Sequence, residues 1–258
     1  MGVVNVTPDS FYPASRTLAA EAAISRGLAH FADGADVVDV GGESTRPGSD
    51  PVDEAEELAR VVPVVGELAA HGPVSIDTQK ASVARAAVAA GASVVNDVSG
   101  ELFEVAGELG VGYVAMHRQG DSKVMQLDPT YHDVVGEIAA FLATLAQAAR
   151  RAGVTTLWLD PGIGFGKTIE HNLTLLAHLD HFVDLAGEYG AGVLVGTSRK
   201  SFLGQLGATP LGVDERLEGS LASAAWAMVQ GVSVVRAHDV RETVWLRDLL
   251  TAPLEPAR

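Results

Sequence analysis

Leu157-Trp158-Leu159-Asp160-Pro161-Gly162-Ile163-Gly164-Phe165-Gly166-Lys167 joins an apolar run, a carboxylate and a glycine-rich loop without a break. The Leu/Trp/Leu run suits a buried parallel strand. Asp160 then stands at the carboxyl end of that strand, where α/β folds place their ligands. Pro161 ends the ladder, and the glycines allow backbone to approach a bound molecule closely. A capping Asp followed by an ordinary βα turn would give the same local pattern, so the rest of the chain must decide.

Two phosphate motifs come near this stretch and fail. A P-loop requires Gly five places before Gly166, where Pro161 stands. A dinucleotide fingerprint requires Gly at the position of Lys167.

Working outward, short β-branched runs alternate with longer helical patterns. The runs are Val3 to Val6, Asp36 to Val40, Val74 to Thr78, Ser93 to Asp97, Tyr113 to His117, Leu157 to Asp160, Gly192 to Ser198 and Val232 to His238. Apolar residues recur at three/four spacing over Leu18 to Phe31, Val52 to Leu68, Val83 to Ala89, Val134 to Ala149 and Leu217 to Val229. About eight strands with helical connectors predict a single-domain α/β fold spanning 1–258, a closed (β/α)8 TIM barrel. The length of 258 residues is typical of that barrel. An open doubly wound sheet is the alternative, and the number and even spacing of the strands favour closure.

Composition narrows the function. A net charge of −15 argues against nucleic acid or an anionic membrane as partner. The absence of cysteine excludes a disulfide framework, a thiolate nucleophile and thiolate metal ligands. No signal-type run opens the chain and no apolar segment reaches the length of a membrane span, so a cytoplasmic protein is expected.

In a closed barrel the polar strand ends converge on one face. Asn5, Asp39, Asp77, Asn96, Asp97, His117, Asp160, Ser198, Arg236 and His238 would then share one bowl. Singly each reads as a cap or turn former, but buried carboxylates in such number need partners. Carboxylates and amides deep in the bowl suit a heterocycle edge rich in N–H donors. Arg46, Arg199, Lys200, Arg236 and His238 could hold an anion, and Asn5, with Asp9 nearby, could reach a divalent metal. The expected ligand is a flat heterocycle carrying a phosphorylated group.

These residues resemble the dihydropteroate synthases. The resemblance rests on Asn5-Val6-Thr7-Pro8-Asp9-Ser10-Phe11, Gly41-Gly42-Glu43-Ser44-Thr45-Arg46-Pro47-Gly48, Ser75-Ile76-Asp77-Thr78 and Asn96-Asp97-Val98-Ser99. Asp160 to Lys167, Ser198-Arg199-Lys200-Ser201 and Arg236-Ala237-His238-Asp239-Val240 complete it, so that it runs from Met1 to about Leu250.

The resemblance implies a transferase of folate biosynthesis. It would condense 6-hydroxymethyl-7,8-dihydropterin diphosphate with p-aminobenzoate to 7,8-dihydropteroate and diphosphate, with Mg²⁺ as cofactor. By matching positions Asp77, Asn96, Met116, Asp160 and Lys200 would hold the pterin, and Arg236 would stack on its face. Asn5 (through Mg²⁺), Arg46 and His238 would bind the diphosphate. Thr45, Pro47, Phe165, Lys200 and Ser201 would shape the p-aminobenzoate pocket, where sulfonamides would compete. The family habit further implies a homodimer through the late helices, which carry Leu221, Trp226, Val229 and Trp245. One departure stands out. Where the family commonly has Ser-Asp-Gly-Gly after Ser10-Phe11, this chain has Tyr12-Pro13-Ala14-Ser15, read as an altered lid loop. A pterin-binding paralogue without turnover, or with another acceptor, is therefore the competing reading. A pterin-binding methyltransferase domain is a weaker one, lacking a reason to keep Thr45, Arg46, Lys200 and Ser201.

Overall fold

Eight parallel strands form the inner ring of the computed structural model, which describes residues 1–6, 13–44, 49–120 and 125–252, with backbone alone over 13–18. They are β1 (Gly2–Asn5), β2 (Val38–Gly41), β3 (Val74–Asp77), β4 (Val94–Asp97), β5 (Gly112–Met116), β6 (Leu157–Asp160), β7 (Gly192–Val195) and β8 (Val234–Val235). Their spatial order follows the chain. Val3 N–H donates to Ala237 O at 3.0 Å and Ala237 N–H to Met1 O at 2.9 Å, which closes the ring between β8 and β1. The structure is the expected TIM barrel.

Nine α-helices surround the ring among the described residues. They are α1 (Pro13–Ala32), α2 (Glu54–Leu68), α3 (Ala81–Ala89), α4 (Phe103–Leu109), α5 (Val134–Arg151), α6 (Ile169–Ala177), α7 (Leu179–Glu188), α8 (Leu217–Val229) and α9 (Val240–Thr251). Local chemistry sets several boundaries. The Asp53 carboxylate accepts from Ala55 N–H at 2.9 Å and starts α2. Thr168 and His171 form a reciprocal capping box at α6. No described helix is long and apolar enough to cross a membrane.

Strand periodicity of two divides the barrel residues into two sets. Val4, Val40, Ile76, Val95, Ala115, Leu159 and Val195 belong to the large core shared with the helices. Val94, Val114 and Leu194 form a separate small cluster with Trp158 and Val234, filling the barrel interior. Two residues beyond members of that inner set stand Asn96, Met116, Asp160 and Arg236. The inner cluster is thus the plug beneath the mouth, and polar side chains begin where it ends.

Two expectations are corrected. Pro13, Ala14 and Ser15 open α1 rather than forming a loop, as Pro fits a first helical turn, where its missing N–H and fixed φ cost nothing. Tyr12 lies outside the described residues. The last strand is only Val234–Val235, because Ala237 joins β1 through a single bridge. Between β6 and β7 the chain makes two helices, broken at His178 with φ −119°.

Candidate functional site

At the carboxyl ends of the strands, register alone brings distant residues level. Asp77 of β3 pairs with Gly41 of β2 and with Asn96 of β4, and Met116 of β5 pairs with Asp160 of β6. The floor is nearly sealed: Asp39 is 0%, Asp77 7%, Asn96 5% and Asp160 6% exposed. Carboxylates this deep require partners, since an unpaired buried charge is expensive.

Arg236, just past β8, supplies part of that pairing. Its Nε donates to Asp39 Oδ2 at 2.6 Å and its Nη2 to Asp77 Oδ2 at 2.8 Å. Asn96 Nδ2 also donates to Asp39 Oδ2, at 3.0 Å. Asp39 Oδ1 and Asp77 Oδ1 remain buried without a partner. Burial raises the Asp77 pKa to about 7, helped by neighbouring Asp39 and opposed by Arg236. Two carboxylates sharing one guanidinium leave acceptor capacity unused, which suits an incoming N–H donor.

The opposite wall is the loop after β6. Asp160 accepts Gly162 N–H at 2.7 Å, and burial raises its pKa while the Lys200 charge lowers it. Lys200 Nζ donates to the Ile163 carbonyl and lies 4.5 Å from the Phe165 ring centroid. Burial lowers the Lys200 pKa to about 8. Gly162 and Gly166 adopt φ of +68° and +66°. A Cβ on Gly162 would lie 1.8 Å from His117 O, and one on Gly166 2.4 Å from Gln119 O. These two glycines therefore let the loop pack against the end of β5. The close approach they permit is to the protein's own main chain at His117 and Gln119, where approach to a bound molecule is the sequence expectation.

On the remaining rim, the backbone N–H and Nδ1 of His238 both lie 3.1 Å from Ser198 Oγ. Ser201 is exposed at the start of a 3₁₀ turn (Ser201–Gln205). Asn5 is exposed at the end of β1, level with Gly41. Among the described residues no group of three or more His, Asp or Glu side chains is arranged to hold a metal.

The structure thus brings Asp77, Asn96, Met116, Asp160, Lys200, Arg236 and Phe165 to one mouth, with Asn5, Ser201 and His238 on strand ends or loops of the same face. Thr45, Arg46 and Pro47, like Asp9, lie outside the described residues. Two residues placed in the bowl from the sequence face elsewhere. Asp97, one position out of phase with Asn96, accepts from Ser99 N–H, Leu102 N–H and Tyr113 Oη–H, a structural cap behind the barrel. His117, one position out of phase with Met116, meets Lys167 and the edge of Phe141. Arg199 is also committed: it pairs with Asp239 through Nε at 2.9 Å and Nη2 at 2.6 Å, and with Asp214 at 3.1 Å. Asp39 was legible as a strand-end charge, and the structure gives it a role that the motifs did not: it anchors Arg236. Its signal is a carboxylate set between Val38 and Val40 in an otherwise apolar run.

A closed barrel whose mouth pairs buried carboxylates and an amide with two cations defines a receptor for an N–H-rich ring. The chain belongs to the pterin-binding enzyme family, which it matches over residues 1–238. Within that family its place is among the dihydropteroate synthases, and it is a transferase. It is 41% identical over 262 residues to the dihydropteroate synthase of Escherichia coli (strain K12), covering 98% of this chain and 91% of that one. The Mycobacterium leprae (strain TN) enzyme is 45% identical over 257 residues, covering 95% and 89%. Among solved structures, Yersinia pestis dihydropteroate synthase in a sulfonamide drug complex superposes with TM-score 0.88 at 40% identity, covering 98% and 92%. The Xanthomonas albilineans enzyme with 4-aminobenzoic acid gives 0.86 at 43%, covering 98% and 93%.

Proposed function

We propose that the chain catalyses condensation of 6-hydroxymethyl-7,8-dihydropterin diphosphate with p-aminobenzoate, releasing diphosphate and 7,8-dihydropteroate. The observation that carries this reading is Asp77 Oδ1: a buried, unpartnered acceptor, level with Asn96, on a carboxylate whose other oxygen pairs with Arg236. An aminopyrimidine edge offers parallel N–H donors to such a carboxylate. The relatives' 4-aminobenzoic acid and sulfonamide complexes support the acceptor assignment.

The reaction needs no nucleophilic side chain. Diphosphate leaves a methylene attached to an electron-rich pterin, so positive charge spreads into the ring as the bond breaks. Asp77, Asn96 and Asp160 orient that ring with Arg236 against its face, and His238 on the rim meets the departing anion as it develops charge. The aniline nitrogen then adds to the methylene and loses a proton. Phe165 and Ser201 border the acceptor's place, with Lys200 between the two subsites.

Mg²⁺ binds through few protein oxygens, taking water and phosphate oxygens for the rest. A single exposed amide at Asn5, at the carboxyl end of β1, fits that mode. When bound there, the ion would neutralise part of the diphosphate charge. The same reading includes a cytoplasmic location and a homodimer. For the dimer, Trp226, Val229 and Trp245 are 46%, 65% and 70% exposed on α8 and α9.

The test is to incubate the purified protein with both substrates and Mg²⁺ and to detect dihydropteroate by mass spectrometry. Product well above an Asp160→Ala control is expected. Pterin binding without product would instead favour a non-catalytic paralogue, a reading weakened by the helical placement of 13–15.

A further inference from the structure

Behind the wall of the mouth, Lys167 takes no part in the chemistry above, yet it is only 3% exposed. Lysine is seldom buried so completely without a carboxylate partner. Here its Nζ lies 3.0 Å from His117 Nδ1 and donates to the Phe165 carbonyl, also at 3.0 Å. Burial and the adjacent lysine lower the His117 pKa to about 3, so the ring is neutral and its Nδ1 accepts. Burial lowers the Lys167 pKa to about 7, against the opposing pull of Asp160. A neutral amine still carries two N–H donors, so both bonds survive its deprotonation.

The charged and titratable groups packed around Lys167 are Asp160 on β6, Lys200 after β7 and His117 after β5. Tyr131 completes the set by donating to Gly166 O at 3.0 Å, with the His171 ring of α6 at 5.0 Å from its own. The geometry defines a bracket. At one end of the 160–167 loop Asp160 faces the pterin's place, and near the other Phe165 sits beneath Lys200. Lys167 fastens the main chain of Phe165 to the end of β5.

We propose that Lys167 is a positioning residue for the acceptor: by holding the Phe165 carbonyl against His117, it fixes the Phe165 ring as a wall of the p-aminobenzoate subsite. This rests on the proposed condensation. A residue that merely satisfied His117 would leave acceptor affinity untouched once both polar groups were removed together.

The decisive comparison is between the double variant Lys167→Met/His117→Leu and the single variant Lys167→Gln. The first removes the clamp and leaves no unpaired buried side chain; the second keeps an N–H donor in place. In the double variant the KM for p-aminobenzoate rises at least about tenfold, while kcat and the KM for the pterin diphosphate stay within about threefold. Lys167→Gln recovers most of the acceptor KM. Should the double variant not fold, Lys167→Met takes its place in the same comparison. An acceptor KM that is unchanged in the double variant, or shifted equally in both, overturns the assignment. Wild-type protein assayed in parallel separates the failures. No dihydropteroate from wild type removes the proposed function and this inference with it, whereas normal wild-type turnover beside an unchanged acceptor KM removes only the role of Lys167.

Discussion

Arg236 Nη2 donates to Asp77 Oδ2 at 2.8 Å across a separation of 159 residues, while Asp77 Oδ1 is buried with no partner. The ion pair orients the carboxylate, and the free oxygen is what remains for a ligand. Asp77→Asn keeps the shape but replaces one acceptor oxygen by a donor. It should weaken pterin diphosphate binding by about 2 kcal/mol, roughly thirtyfold in Kd, measured by calorimetry. Unchanged affinity would show that the free oxygen is not a contact.

The pH dependence follows from the same carboxylate. Burial holds Asp77 near 7, so part of the population is protonated at neutral pH, and a bound N–H donor selects the ionised form. Pterin binding should therefore strengthen as pH rises through about 7, with proton release, and weaken above about 8 as Lys200 loses its charge. For the protein alone the stability term has a definite sign. The folded-state pKa lies above the ordinary carboxylate value of 3.8, so folding retains a proton that the unfolded chain gives up. That contribution is full below 3.8 and is lost as pH rises toward about 7. Calorimetry in buffers of different ionisation enthalpy reads the proton count. Zero proton release on the acid side of about 7 would contradict the account.

Asp97 tests the division between inward and outward strand positions. Its carboxylate accepts from two backbone N–H groups, Ser99 Oγ–H and Tyr113 Oη–H. Asp97→Ala strands these donors, which should cost about 3 kcal/mol of stability in denaturant unfolding. Pterin affinity in the folded fraction should stay within about threefold of wild type. A large loss of affinity at unchanged stability would place Asp97 in the pocket.

Gly162→Ala should be among the most damaging small changes in the barrel. The added methyl would meet His117 O at 1.8 Å, at a φ of +68°. A penalty on the order of 3 kcal/mol, or roughly 10 °C in melting temperature, is expected in thermal unfolding. Near-native stability would mean that the loop moves away from β5 at little cost.

Much of the fold was legible because strand ends here combine an apolar run with a polar stop. Leu157–Asp160 and Leu217–Val229 match their predicted spans residue for residue. Convergence of Asp77, Asn96, Asp160, Lys200 and Arg236 follows once the barrel closes. The phase of adjacent polar residues was less visible: Asn96-Asp97 and Met116-His117 each put one side chain inside and one outside. Sequence alternation fixes that phase only when the inner plug of Val94, Val114 and Leu194 is known. The partners of Arg199 and Lys167 were hidden for another reason. Asp239 and His117 lie tens of residues from the cations they meet, and a cation in a loop looks the same in sequence whether it faces a ligand or another side chain of the protein.

The central claim is tested most directly by a crystal structure of the protein with the pterin diphosphate bound. The account predicts the pterin ring among Asp77, Asn96 and Asp160, with a ring N–H or amino group within hydrogen-bonding distance of Asp77 Oδ1. A pterin bound elsewhere, with Asp77 Oδ1 still unpaired, would contradict it.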